Sequence, residues 1–184
     1  MTGQPCKKGT YCQGGQSRKC PGGYYAPVSG MGACMKCPPG SFCSHPDGTS
    51  TPKDCPTAKY CPEGTETPIL CPDGTYTEVF QDGLEAVNQC SSCPTGYYCT
   101  FGVYDRSKQC NAGTYCLTGA KKANEEDMLC PSGFFCLAGT KLPTACEEGK
   151  YSLPGGKTAD DCVDCIEGYY CVIGVSTTYL NKCP

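Results

Sequence analysis

The sequence predicts a small disulfide-rich fold, an elongated tandem array of short β-hairpins and irregular loops with almost no helix. Three observations predict it. The 184 residues include 21 cysteines, above the roughly 8–10% that marks a disulfide scaffold. Glycine (24) and proline (16) are abundant and tryptophan is absent, so aliphatic residues are too sparse for one cooperative core and the chain needs covalent staples. A short cysteine-led unit also recurs along the whole chain.

That unit is C-x-x-G-x-[Y/F]. It reads "CKKGTY" from Cys6, "CPGGYY" from Cys20, "CPPGSF" from Cys37, "CPDGTY" from Cys71 and "CPTGYY" from Cys93. It continues as "CNAGTY" from Cys110, "CPSGFF" from Cys130, "CEEGKY" from Cys146 and "CIEGYY" from Cys165, while "CPTAKY" from Cys55 carries Ala58 at the glycine position. In seven of the ten the aromatic is followed at once by cysteine. Proline and glycine make a tight turn, glycine supplying a backbone shape other residues resist. The aromatic favours an extended strand and can lie flat against a nearby disulfide. Each unit is a turn feeding a short strand.

The cysteine gaps suggest a longer period, with repeats at 1–54, 55–109 and 130–184 and a partial repeat with a charged insert, "LTGAKKANEEDML", at 110–129. Cys130 and Cys136 read as an additional pair. Tandem periods of this kind indicate a quasi-linear array in which each unit touches mainly its neighbours. The first unit reads as starting mid-repeat and the last as stopping one cysteine into the next, as in a window cut from a longer chain. Only "GLEAVNQ" (Gly83–Gln89) and "KKANEEDML" (Lys121–Leu129) have helical composition, each enough for a turn or two.

Cysteines at this density persist in oxidising compartments, so the chain reads as extracellular or lumenal. No stretch approaches the ~20 apolar residues of a membrane span. The C-x-x-C pairs Cys34/Cys37, Cys90/Cys93 and Cys162/Cys165 lie more than fifty residues apart with other cysteines between, unlike paired zinc ligands, and nothing alternates strand with helix as a redox dithiol requires. Cys90 and Cys93 are therefore read as half-cystines of two successive bridges. The one histidine, His45, sits in a turn-rich loop with no partner at a motif spacing. The acidic runs "NEEDML" and "TADDC" lack the alternating ligands of a calcium loop. The net charge of −3 with scattered basic residues leaves no nucleic-acid footprint. No enzyme activity, cofactor or metal is expected. Ser50 and Thr51 in "GTSTP", and Thr65 and Thr67 in "TETP", stand beside proline in a composition suited to O-linked glycans.

At "CPEGTETPILCPDGTYTEV" and "GMGACMKCPPGSFC" the chain resembles the cysteine-rich modules of growth-factor-receptor type, in particular ephrin-receptor-like repeats. The segments Cys20–Cys37, Cys71–Cys93 and Cys146–Cys165 carry the match. Ala58, the charged insert and the lack of any kinase or ligand-binding segment depart from an ephrin receptor as such. Arrays of these modules also resemble the long surface proteins of protists, mastigoneme proteins among them. The resemblance implies bridges Cys20–Cys34, Cys71–Cys90 and Cys146–Cys162. It further implies an interlaced set: Cys37–Cys55 with Cys43–Cys61, Cys93–Cys110 with Cys99–Cys116, and Cys165–Cys183. Cys6, Cys12 and Cys171 are then left for bonding between units or between copies. The expected role is a structural segment of an extracellular filament or cell-surface fibril, such as a flagellar mastigoneme, whose partner is itself or neighbouring repeats of one long chain. The alternative is a spacer stalk of a cell-surface receptor or adhesin.

Overall fold

The computed structural model describes residues 4–46, 48–78, 81–124, 128–174 and 181–182. Among them there is no α-helix, and the architecture is a series of two-stranded sheets. Strand β1 (Thr10–Gln13) pairs with β2 (Gln16–Lys19), β3 (Tyr24–Tyr25) with β4 (Met35–Lys36), and β5 (Ser41–Phe42) with β6 (Lys53–Asp54). The series goes on with β7 (Lys59–Tyr60) on β8 (Ile69–Leu70), and β9 (Thr75–Tyr76) on β10 (Ser91–Ser92). It ends with β11 (Phe134–Phe135) on β12 (Thr144–Ala145), β13 (Lys150–Tyr151) on β14 (Val163–Asp164), and β15 (Tyr169–Tyr170) on β16 (Asn181–Lys182). Where the repeat at Cys93 and that at Cys110 would add hairpins, single bridges Tyr97↔Gln109 and Thr114↔Leu129 stand instead.

Each hairpin is one copy of the C-x-x-G-x-aromatic unit. The N–H of the fifth residue donates to the C=O of the second, as in Tyr24 to Pro21 (3.1 Å) and Phe134 to Pro131 (3.2 Å). The glycine between them takes a positive φ, +77° at Gly23, which a Cβ-bearing residue resists. The chain then runs out along the aromatic and returns immediately before the next cysteine. That cysteine's N–H closes the unit on the same glycine's C=O: Cys37 to Gly23 (2.8 Å), Cys55 to Gly40 (2.8 Å), Cys146 to Gly133 (2.9 Å). The ten-fold unit, and not a six-cysteine period, is therefore the structural repeat. The charged insert follows the aromatic of the unit at Cys110, and its described residues belong to that unit, which Tyr115 N–H closes by donating to Met128 C=O (3.0 Å). Cys130 and Cys136 belong to an ordinary unit.

The expected helical turns are reduced to a 3-10 turn at Val87–Gln89, matched by one at Ala159–Asp161; residues 125–127 of the second expected stretch lie outside the described residues. The chain divides into two compact units, Met1–Pro72 with Tyr76–Ser91, and Asp73–Thr75 with Ser92–Pro184. In both, the largest fully buried side chains are cysteines. Rings cover them: Tyr60 packs against Cys71, Leu84 and Cys90, and Tyr98 against Cys110, Cys116 and Ala120. The aromatic of one unit thus shields the bridge of the next.

Candidate assembly surface

Ten disulfides join the described cysteines, and they obey one rule. Where the seventh residue of the unit is cysteine, it bonds the first: Cys6–Cys12, Cys37–Cys43, Cys55–Cys61, Cys93–Cys99, Cys110–Cys116, Cys130–Cys136 and Cys165–Cys171. Where the seventh residue is Ala26, Thr77 or Ser152, the first cysteine reaches the leading cysteine of the following C-x-x-C, giving Cys20–Cys34, Cys71–Cys90 and Cys146–Cys162. The substitutes are as buried as the cysteines they replace, Ala26 and Ser152 at 0% and Thr77 at 6% exposed. Their hydroxyls are bonded as burial demands: Ser152 Oγ donates to Phe134 C=O (2.6 Å), and Thr77 Oγ1 accepts Ala58 N–H (2.8 Å).

The interlaced pairs implied by the resemblance are corrected. Cys37–Cys55, Cys43–Cys61, Cys93–Cys110 and Cys99–Cys116 do not form, because the turn brings first and seventh residues together, with Cα atoms 6.0 Å apart at Cys37 and Cys43. Six residues of extended chain would span about 20 Å. Cys165 bonds Cys171, and Cys183 lies outside the described residues. The reservation of Cys6, Cys12 and Cys171 for bonding between units is corrected for the same reason: all three are closed locally. Ten disulfides suit a secreted protein, and among the described residues no helix is long and apolar enough to cross a membrane.

Bonds between units are made by backbone. In the first compact unit, Gly9 N–H donates to Ala26 C=O (2.9 Å), Gly23 to Cys43 (2.8 Å) and Gly40 to Cys61 (2.8 Å). Ala58 keeps the rung by donating to Thr77 Oγ1 in place of a carbonyl. In the second, Gly74 donates to Cys99 (2.8 Å), Gly96 to Cys116 (2.9 Å), Gly113 to Cys136 (2.8 Å), Gly133 to Ser152 (3.0 Å) and Gly149 to Cys171 (3.3 Å). A second rung runs back from the loop: Gly64 N–H to Cys37 C=O and Gly83 to Cys55, then Gly119 to Cys93 and Gly155 to Cys130, all 2.7–2.8 Å. The stacking contact is therefore generic. Its donors and acceptors are equivalent backbone positions, except at Ala58, where Thr77 Oγ1 takes the place of the carbonyl.

At the last unit the face that is half-buried or buried in the other nine is open. Tyr169 and Tyr170 are exposed, whereas Tyr24, Tyr25, Phe134, Phe135 and Tyr151 at the same positions are partly covered. Ile166, Val172 and Ile173 extend the apolar patch. None of these residues was singled out from sequence as a surface.

The remaining candidates fall elsewhere. Thr51 and Thr67 are exposed and Ser50 partly so. Thr65 is 8% exposed and its Oγ1 donates to Pro62 C=O (2.6 Å). His45 is exposed in the same loop as Ser50 and Thr51. In "TADDC", Asp161 uses its carboxylate to accept Lys157 N–H (2.6 Å) and Thr158 N–H (3.0 Å). These backbone bonds, that from Lys157 first, hold its pKa below the usual carboxylate value. Gln89 Oε1 plays the same part toward Glu85 and Ala86 N–H (2.6 and 3.1 Å). No family model matches this chain, and no curated protein matches it either.

Proposed function

We propose that the chain is a non-enzymatic structural segment of an extracellular filament or cell-surface fibril, of the kind flagellar mastigonemes represent, in which units stack in series. One observation carries the reading: the stacking bonds use the same backbone positions at successive levels, so any face of this type is complementary to any other unit of this type. A contact of this kind is head-to-tail, and such contacts propagate when their rotation does not close a ring. The local bridges make each level resistant to unfolding and proteolysis. Exposed Thr51 and Thr67 and half-buried Ser50 offer hydroxyls for O-linked glycans on the surface of such a fibril.

The competing reading, a stalk that spaces a receptor or adhesin domain from its membrane, predicts no self-association. Electron microscopy of the native material, with sedimentation of the purified chain, separates them. Serial polymers support the filament; monomeric stalks at every concentration overturn it.

A further inference from the structure

The unit's glycine does more than turn the chain. A Cβ on Gly40 would lie 2.6 Å from the carbonyl oxygen of Gly83, and one on Gly113 would lie 2.8 Å from that of Gly155. In each case the loop of the unit two levels on lies directly upon the glycine. The residue two positions after that loop glycine then rests its stem on the same rail. A Cβ on Gly40 would meet Glu85 Cγ at 3.4 Å; on Gly74, Lys121 Cγ at 3.1 Å; on Gly96, Lys141 Cγ at 3.3 Å; on Gly113, Lys157 Cγ at 3.2 Å. Glu66 instead lays its carboxylate against Gly22, the residue before the rail glycine Gly23.

These positions carry charge of one sign in each compact unit. In the first they are Glu66 and Glu85, with uncharged Ser50 at the equivalent position after Gly48; in the second, Lys121, Lys141 and Lys157. All five charged residues are exposed. Among the described residues no ion pair within the fold takes Glu66, Glu85, Lys141 or Lys157. Asp161, the acidic neighbour of Lys157, is held by backbone N–H groups. The lysines stand out against their surroundings, because the second unit is the acidic one: it holds all three units of the chain's net negative charge, the first being balanced.

We propose that the two rows are a lateral interface: the lysine row in the second unit of one copy takes the glutamate row in the first unit of a second copy. The partner is argued from complementarity of sign and of spacing, since each row places one charge per hairpin level at the same register position. Exposed pairs of this kind are individually weak, worth roughly one and a half- to fivefold in affinity. They act by selecting register and rejecting like-charged alignments, and they count in a fibril because many act together. The inference rests on the filament reading only in taking a second copy of the chain as partner.

The test uses the whole chain in three forms: wild type, Lys141→Glu with Lys157→Glu, and Glu66→Lys with Glu85→Lys, each checked for an intact disulfide map. Sedimentation velocity at low and high salt measures association of each alone and of the two variants mixed. The expected result is salt-sensitive association of wild type, a loss of about tenfold for either variant alone, and recovery when the variants are mixed. Association unchanged by either swap overturns the interface and leaves the filament reading standing. Failure of wild type to associate at any salt overturns both. Loss of binding to heparin in the Lys141→Glu, Lys157→Glu variant, with self-association untouched, assigns the lysine row to an acidic polysaccharide and overturns the paired-row interface.

Discussion

Gly40 and Gly64 share the same backbone shape, φ +77° at each, but not the same surroundings. A Cβ on Gly64 meets nothing within 4 Å, while one on Gly40 lies 2.6 Å from Gly83 O. Substituting alanine at both therefore separates conformational strain from close approach. Gly64→Ala bears only the left-handed penalty, about 1–2 kcal/mol. Gly40→Ala bears the same penalty plus about 1–3 kcal/mol for forcing backbone apart in a packed contact. A repeat array opens level by level, so a global unfolding midpoint blurs the difference. The suitable readout is native-state amide exchange with disulfides intact, at Cys55 N–H (bonded to Gly40 C=O) for one variant and at Cys43 N–H (bonded to Thr65 C=O) for the other. Acceleration of about 5- to 30-fold is expected for Gly64→Ala, and about 5- to 140-fold more for Gly40→Ala, converting at ~1.4 kcal/mol per decade. Equal acceleration in the two would refute the glycine-rail argument.

Three further outcomes follow from the same geometry. Ala58→Gly removes the left-handed strain at φ 68° and should stabilise its level by about 1 kcal/mol, read as slower exchange at Cys71 N–H, which donates to Ala58 C=O; no change would show that the strain is already relieved. Ala26→Cys completes a seventh-position cysteine and should capture Cys20, leaving Cys34 free to alkylation, whereas an unchanged Cys20–Cys34 bridge would break the pairing rule. Because folding lowers the Asp161 pKa, its contribution to the 157–162 turn is full above the unfolded value and fades as pH falls through the folded one; the Lys157 and Thr158 amide shifts should move along that acidic titration, and flat shifts would deny the cap.

The hairpin series, the scarcity of helix and the disulfide scaffold were legible because cysteine, glycine and aromatic recur at fixed offsets. The long-gap bridges at Cys20, Cys71 and Cys146 form as the receptor-type resemblance implies. What misled was the interlaced set that the resemblance implied. It paired Cys37 with Cys55 and Cys43 with Cys61, though the positive-φ glycine already returns residue seven to residue one. The deciding signal was present in the sequence: Ala26, Thr77 and Ser152 occupy the seventh position in the three units that bridge outward. The rail contacts at Gly40, Gly74 and Gly113 were not legible, since they join levels two apart and leave no pattern beyond the glycine itself. Nor was the charge division between Glu66/Glu85 and Lys121/Lys141/Lys157, which emerges only once the loop glycines are superposed by level.

A tryptic map without reduction tests the repeat as described most directly. Cleavage after Lys36 and Lys53 isolates residues 37–53, which contain Cys37 and Cys43 and no cysteine besides. If each unit closes on itself, this peptide appears alone, two hydrogens lighter than its reduced form, with Cys55 found attached to the peptide carrying Cys61. If it instead appears cross-linked to both the Cys55 and the Cys61 peptides, the bridges are interlaced and the self-closing hairpin unit is wrong.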